Sequence, residues 1–160
     1  MDNLGSIMAN STATYTEGTL SLPIGFSLLF TTDEISATLG EIFSIAGKSI
    51  THQYSGGATS FVFDGLTLSY NGEIASNGRT TVAIIFDASL STLRLLVGGT
   101  LEDTVPCSTG AISGSNTVLT GSKPWNISDF RLYNKGLSDG AVNYYHLDAS
   151  STGLGVGRLG

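Results

Sequence analysis

Carboxylates come closest to a catalytic arrangement in this 160-residue sequence. They form two adjacent pairs, Asp33-Glu34 and Glu102-Asp103. Glycoside hydrolysis needs two carboxyls about 5 to 10 Å apart that face one cleft. Neighbouring side chains on a strand point to opposite faces, so the members of each pair diverge. The sequence therefore predicts a protein that is not an enzyme.

The sequence also contains few residues that could bind a metal ion or act as a nucleophile. The sequence has two histidines, His52 and His146, and one cysteine, Cys107. A structural zinc site takes four Cys or His ligands, and a thiol nucleophile needs a base beside it. A single cysteine also rules out an internal disulfide. We expect no zinc, no disulfide and no cysteine nucleophile.

Aromatic residues beside turn-forming residues favour a binding role. Trp125 lies in the turn-rich segment GSKPWNIS next to Asn126, and Tyr54 lies in a second predicted loop. Aromatic rings offer an apolar face to a sugar, and amides bond to hydroxyls. Trp125, Asn126 and Tyr54 are therefore candidate ligand-binding residues. The competing interpretation of Trp125 is a core-filling side chain, and Tyr144 and Tyr145 are further aromatic candidates.

The charge balance excludes several partners. The net charge is −6, and the seven Lys and Arg residues are scattered, whereas nucleic-acid binding needs clustered basic residues. No apolar run reaches the roughly 18 residues of a membrane span. The first residues carry neither a basic n-region nor an apolar h-region, which predicts a protein made without a classical secretion signal.

The composition is typical of an all-β protein. Charged residues make up only 12%, glycine occurs 21 times, and Ser and Thr supply about a quarter of the chain. Short apolar runs alternate with Gly, Ser, Asn and Asp clusters, and Asn71-Gly72, Asn77-Gly78 and Gly98-Gly99 are turn signals. The predicted strands are Phe26–Thr31, Glu41–Ala46, Phe61–Phe63, Leu66–Asn71, Thr80–Asp87, Thr92–Val97, Thr100–Val105 and Ile127–Tyr133.

Two central strands carry apolar residues on both faces. In Thr80–Asp87 and Thr92–Val97, Ile85 and Leu96 lie opposite the residues of the core-facing set. A strand with one solvated face alternates more cleanly. The second face is therefore covered by a loop, another sheet or another molecule, and Ile85 and Leu96 are candidate assembly contacts.

The C-terminal region predicts one short helix and a tail. Ser138 can cap a helix that runs through Val142 to Tyr145. We assign residues 1–150 to one domain and residues 151–160 to a Gly-rich tail that contacts a neighbouring subunit. The apolar residues of that tail are Leu154, Val156 and Leu159.

Two stretches resemble the laminin G-like, concanavalin A-like lectin-glucanase superfamily. Residues 79–105 have a strand, a turn bearing Asp87, a second strand and the Gly98-Gly99 turn before a third strand. Residues 126–142 have the family's Asp, Arg-hydrophobic-Tyr and Asn-x-x-Leu-Ser sequence in its order. Arg79-Thr80 and Gly98 depart from the family pattern. The resemblance covers the second half best and implies an all-β, antiparallel β-sandwich (a jelly roll, concanavalin A-like) with one short C-terminal helix.

The resemblance also implies two kinds of site. Glucanases of this superfamily place Glu, Asp and Glu on one strand, and neither spacing of that motif occurs here. Laminin G-like domains often hold Ca²⁺ at the loop rim, where Asp87 and Asp103 are the candidate ligands. The alternative for Asp87 is a turn cap, and for Asp103 a solvated edge charge. We expect no other cofactor.

Three functions compete at this point. We prefer a non-catalytic structural protein of a large assembly, as in a bacteriophage virion, where it would be a capsid decoration or a tail or fibre component and form a homo-oligomer. The low charge, the apolar second face and the missing signal favour it. The alternative is a carbohydrate-binding lectin-type module, extracellular or at the cell surface, that binds a surface glycan. A glycan-active enzyme ranks third.

Overall fold

A computed structural model describes residues 5–7, 14–15, 20–76, 78–114, 117–118 and 125–151, with the backbone alone at 5–7, 14–15, 117–118, 125–126 and 149–151. Within these ranges lie fourteen strands and one helix. They are β1 (Gly5–Ile7), β2 (Thr14–Tyr15), β3 (Leu20–Leu22), β4 (Gly25–Ile35), β5 (Gly40–Ile45), β6 (Lys48–Ser55), β7 (Ala58–Phe63), β8 (Leu66–Tyr70), β9 (Thr80–Asp87), β10 (Thr92–Val97), β11 (Thr100–Pro106), β12 (Ile112–Gly114), β13 (Thr117–Val118), β14 (Trp125–Tyr133) and α1 (Asp139–Ser151).

Two antiparallel six-stranded sheets face each other. Sheet one has the order β1-β14-β4-β9-β10-β11, and sheet two has the order β2-β13-β5-β6-β7-β8. A small ribbon of β12 and β3 completes the strands. The fold is thus an antiparallel jelly-roll β-sandwich with one short C-terminal helix, as predicted.

The core between the sheets is built mainly from phenylalanine. Phe26 packs edge-on against Phe63, with ring centroids 5.3 Å apart, and Phe43 lies 5.3 Å from Phe30 and 5.4 Å from Phe130. All five rings are buried. They occupy inward positions of β4, β5, β7 and β14. Inward positions recur every second residue along a strand, in agreement with the apolar alternation in the sequence. Burial of this apolar surface provides the main driving force for folding.

The strand predictions were correct in the centre of sheet one and incomplete elsewhere. The predicted bounds of β9 and β10 match the structure, while β4 runs four residues past the predicted end at Thr31. Strand β6 was missed because its sequence, KSITHQYS, is largely polar. Its inward residues Ile50 and His52 are buried, and Thr51 between them is half-buried.

The outer face of sheet one is covered by α1, which settles what lies over the second apolar face. Leu29, Ala83, Ile85 and Leu96 form a buried cluster with the helix residues Val142 and Tyr145. Ile85 is 0% exposed and Leu96 is 1% exposed. Their assignment as assembly contacts is therefore corrected, because a helix of the same chain occupies that face.

Helix α1 starts as predicted and is attached by polar contacts. The Ser138 hydroxyl accepts a hydrogen bond from the Ala141 amide at 3.2 Å, which is an N-cap. Arg94 on β10 forms an ion pair with Asp139 in the first turn and donates to the Leu137 carbonyl at 2.5 Å. This 13-residue helix is too short and too polar to cross a membrane, and no other helix occurs in the described residues.

One glycine fixes the close pairing of β4 and β9. Gly25 has φ of +124°, and a Cβ at this position would lie 2.0 Å from the Phe86 carbonyl oxygen. Any other residue would push the two strands apart at the start of β4. Glycine here is a requirement of the sheet, which the sequence alone does not reveal.

Candidate binding surfaces

A cleft of about 340 Å³ opens between β14 and α1 on the outer face of sheet one. Its floor is apolar, and its walls carry aromatic and charged groups. The lining residues are Leu29, Arg131, Tyr133, Leu137, Ala141, Tyr144, Tyr145 and Asp148. This volume lies at the lower end of the range for small-ligand sites.

A β-bulge in β14 positions the charged wall. Ser128 pairs with Thr31 and Arg131 pairs with Leu29, so β14 uses one residue more than β4 over this interval. Asp129 lies in the bulge with φ of +49°, a conformation that Asp tolerates better than most residues. The bulge re-aims the strand so that Arg131 faces the helix.

Arg131 is engaged by two carboxylates and one ring. Its Nε donates to Asp129 at 3.2 Å, a terminal nitrogen donates to Asp148 at 3.4 Å, and its Cζ lies 4.9 Å from the centre of the Tyr145 ring. Burial is the largest single effect and lowers the pKa of the Arg131 guanidinium, but the charges and hydrogen bonds of Asp129 and Tyr133 together outweigh it, so the pKa is raised. Arg131 is therefore a permanent cation fixed in place.

Tyr145 links the helix to the bulge. Its hydroxyl donates to the Asp129 carbonyl at 3.0 Å and lies 3.0 Å from the Thr31 hydroxyl, which is then the donor to it. Burial raises the pKa of the Tyr145 hydroxyl, so the group stays protonated. Tyr145 therefore acts as a structural support, and Tyr133 and Tyr144 are the rings left to meet a ligand. Tyr144 is 78% exposed.

The predicted ligand residues come together at a different place, one end of the sandwich. Trp125 pairs with Ile35, Asn126 pairs with Glu34, and the Tyr54 amide donates to the Ala37 carbonyl at 3.0 Å. The backbones of Trp125 and Tyr54 thus flank the same short segment at the end of β4. Both residues lie in strands, at the start of β14 and near the end of β6, which corrects the prediction that they lie in loops.

The two calcium candidates have separate structural roles. Asp87 Oδ1 accepts hydrogen bonds from the Ser89 amide and hydroxyl and from the Leu90 amide, so it caps the β9–β10 turn. Asp103 Oδ2 accepts the Ser69 amide at 2.8 Å, which joins the edge of sheet one to the edge of sheet two. Within the described residues no group of three His, Cys, Asp or Glu could hold a metal ion.

Register also keeps these two carboxylates apart. Asp87 pairs with Thr92, whereas Asp103 pairs with Leu95, three positions along β10 and about 10 Å away along the strand. The contacts of Asp87 agree with the alternative that it caps a turn. Asp103 lies at a sheet edge, as its alternative stated, but its carboxylate accepts a hydrogen bond from the Ser69 amide.

Cys107 is buried, with its sulfur 3.2 Å from the Thr109 hydroxyl. Leu154, Val156 and Leu159 lie outside the described residues.

The sequence shows which cleft residues share a face of the same strand or helix, but it does not show where the cleft forms. Arg131 and Tyr133 are two apart on a strand, and Tyr144 and Asp148 are four apart on a helix, so each pair shares a face. What the sequence could not supply is that these two faces meet. Their meeting depends on the path of residues 134–138, which Ser27 fixes by donating to the Lys135 carbonyl and accepting the Leu137 amide.

Comparisons with known proteins identify the architecture. No protein-family model matches the sequence, and no curated protein matches it. A heptameric SAP-like pentraxin from Limulus polyphemus superposes with a TM-score of 0.67 at 13% identity, over 86% of this chain and 78% of that one. The binding domain of botulinum neurotoxin serotype G gives 0.65 at 13% identity, over 91% and 46%.

A further similarity is to the binding domain of botulinum neurotoxin DC in complex with SialylT. It has a TM-score of 0.60 at 16% identity, over 92% of this chain and 45% of that one. The chain thus spans less than half the length of these toxin domains. These similarities show a jelly-roll β-sandwich, which is consistent with a concanavalin A-like fold, while the narrower laminin G-like assignment stays a prediction.

Proposed function

We propose that this protein is a non-catalytic binding module that recognises a carbohydrate in the cleft between β14 and α1. The observation that carries the proposal is the composition of that cleft. It combines two ligand-facing tyrosines, an apolar floor and an Arg–Asp pair in one small concave surface. Such a combination suits a sugar ring, because the ring has both C–H faces and hydroxyl groups.

The roles of the cleft residues follow from their exposure and contacts. Tyr133 and Tyr144 offer aromatic faces for stacking, and Leu29 and Leu137 form the apolar floor. Arg131 and Asp148 supply a donor and an acceptor for hydroxyls at one wall. Similarity to lectin-like and receptor-binding domains supports a binding role, although at 13 to 16% identity it concerns the fold alone.

A catalytic role has less support. Asp129 and Asp148 are two carboxylates near one cleft, as a glycosidase requires. However, both oxygens of Asp129 contact Arg131, at 3.2 and 3.4 Å, and Asp148 contacts the same guanidinium. An acid that must deliver a proton to a leaving group is not expected in this bonding pattern. Incubation with a panel of β-glucans should give no product, and measured turnover would contradict the proposal.

The main test is a glycan array followed by calorimetric titration of the glycans that bind. We expect Tyr144→Ala to weaken binding about five- to 150-fold, because stacking on an exposed ring contributes about 1–3 kcal/mol. The matched control is Leu147→Ala, which removes another exposed apolar side chain from the same helix but does not line the cleft. Equal loss in both variants, or none in Tyr144→Ala, would refute the cleft as the site.

The end of the sandwich near Ile35 is the second candidate for the glycan site. Register brings the backbones of Trp125, Asn126 and Tyr54 around one short segment there. If glycan binding is lost in Trp125→Ala and Tyr54→Ala but kept in Tyr144→Ala, with all three folded, the site is at this end instead.

The role in a virion assembly is a separate proposal and depends on a different surface. Ile24, in the β3–β4 turn, is 55% exposed, and Leu90, in the β9–β10 turn, is 68% exposed. The Ala88 amide donates a hydrogen bond to the Ile24 carbonyl, which brings the two turns together. Two exposed apolar side chains on turns that this hydrogen bond joins suit a contact with another subunit. Light scattering of the native protein should reveal an oligomer that Leu90→Asp dissociates. A monomer at high concentration would exclude the homo-oligomer.

A further inference from the structure

We infer that the cleft between β14 and α1 selects short saccharides that are neutral or carry an amine, and excludes acidic ones. This inference rests on the proposed carbohydrate-binding function and adds the class of its ligand. Its basis is the size of the cleft and the charge of the residues that line and support it.

The size of the cleft limits the length of the ligand. A volume of about 340 Å³ is near the minimum for a small-ligand site. Tyr133 on the strand and Tyr144 on the helix stand on opposite walls. A ligand of one or two rings fits between them, so we expect recognition of a chain end or a branch rather than of an extended polysaccharide.

The charge of the cleft opposes anions. Arg131 is the single cation among the described lining residues, and Asp148 lines the cleft while Asp129 supports it from the bulge. One positive and two negative groups give the lining and its support in the bulge a formal charge of −1, and Arg79, whose charge also acts on Tyr145, lies outside the lining. The whole protein, at −6, adds to the same field.

The bonding of Arg131 strengthens this selection. A ligand carboxylate normally pairs with an arginine through two parallel hydrogen bonds. Here the Nε and a terminal nitrogen already donate to Asp129, and Asp148 also contacts the guanidinium. An acidic sugar would have to displace a carboxylate that is part of the protein, whereas a hydroxyl needs only one donor direction.

The direct test compares sugars that differ at a single group. Glucose, galactose and mannose are each titrated beside the 2-amino sugar and the uronate of the same ring, at low and high ionic strength. We expect the affinity to decrease in the order amino sugar, neutral sugar, uronate. The uronate should bind about tenfold more weakly than the neutral sugar at low salt, and the gap should narrow at high salt.

A charge variant identifies the residue responsible. Asp148→Asn should raise the affinity for the uronate relative to the neutral sugar of the same ring about three- to tenfold. Glu102→Gln is the matched control, since it removes one negative charge at an exposed position on β11, away from the cleft. It should leave the ratio of uronate to neutral sugar unchanged.

The outcomes separate this inference from the proposed function. If the uronate of a ring binds as tightly as its neutral form, or if Glu102→Gln changes the ratio as much as Asp148→Asn, the inference is wrong and the binding function stands. If no sugar of the three series, and no glycan on the array, binds the folded protein, the proposed function fails and the inference fails with it.

Discussion

The two apolar clusters of this sandwich are assembled in different ways. The cluster between the sheets is formed from large aromatic and aliphatic side chains that touch one another directly. The cluster under α1 has six buried members among the residues whose side chains are described, and hydrogen bonds and an ion pair surround it. The inner cluster holds the sheets together through the large apolar area that it buries. The outer cluster also needs polar contacts, which position the helix that covers it.

This difference bears on function, because the candidate cleft lies beside the outer cluster. Leu29 and Tyr145 belong to both the cluster and the cleft lining. The position of the cleft walls therefore depends on directional contacts rather than on bulk packing. A binding surface built in this way can change by single substitutions while the sandwich stays folded.

The largest expected effect is on the inner cluster. Phe43→Ala should reduce the free energy of unfolding by about 3–5 kcal/mol, because it leaves a cavity between Phe30 and Phe130. Urea denaturation followed by tryptophan fluorescence measures the loss. Phe43→Leu, which refills part of the space, should lose less. Equal losses in the two variants would show that cavity size is not the cause.

The next effect is on the attachment of α1. Arg94→Met removes the ion pair with Asp139 and the bond to the Leu137 carbonyl, and we expect a loss of about 1–3 kcal/mol. Hydrogen exchange should show faster exchange in α1 and unchanged protection in the centre of β9. If both regions lose protection equally, the helix and the sandwich unfold as one unit and the distinction between the two clusters fails.

A smaller effect is expected from a single hydroxyl. Tyr145→Phe keeps the buried ring and removes the bonds to Thr31 and the Asp129 carbonyl. We expect a loss of about 1–2 kcal/mol, since a buried hydroxyl at Thr31 loses its partner. Tyr144→Phe is the control on the adjacent, exposed residue and should be neutral. A neutral Tyr145→Phe would mean that packing alone places the helix.

The smallest effect is a pH dependence at the β9–β10 turn. Hydrogen bonds from the Ser89 hydroxyl and from the Leu90 and Ser89 amides hold the pKa of Asp87 below its usual value of 3.8, against the opposing effect of burial. A carboxylate with a lowered folded pKa adds stability above the unfolded pKa and loses it as pH falls through the folded one. Stability measured from pH 6 to pH 2 should therefore fall less steeply below about pH 4 in Asp87→Asn than in the wild type.

An exposed carboxylate provides the control for that titration. Asp33→Asn on β4 should leave the slope unchanged, because Asp33 is solvent-exposed. If Asp33→Asn and Asp87→Asn flatten the curve to the same extent, the turn contacts of Asp87 are not the cause and net charge is.

The sequence was a good guide where apolar period decides structure. Strands β9 and β10 alternate large apolar residues with almost no charge, and their bounds were predicted correctly. Strand β6 was missed, because its inward residues include His52 and its outward ones are polar. The covered second face was also predicted, but the covering element was not. The helix reaches it through Arg94, whose partner Asp139 lies 45 positions away.

The candidate site was less predictable for the same reason. Trp125 was given weight as an aromatic residue in a turn-rich loop, yet it begins a strand, and the bonding of Lys135 and Leu137 to Ser27 determines where α1 turns back. Such long-range hydroxyl contacts leave no periodic signal in the sequence. The side chains of the cleft were visible as types, and their convergence was not.

The hydrogen bond between Asp103 and Ser69 determines which flank of the sandwich is open to a strand from another molecule. It occupies an edge amide of β8 with a carboxylate from β11, and these two strands are the last in their sheets on one side. A foreign strand that approached this side would meet a negative charge and a bonded amide. Within the described residues β1 and β2 end the two sheets on the opposite flank, and strand addition is expected there rather than at β8 and β11.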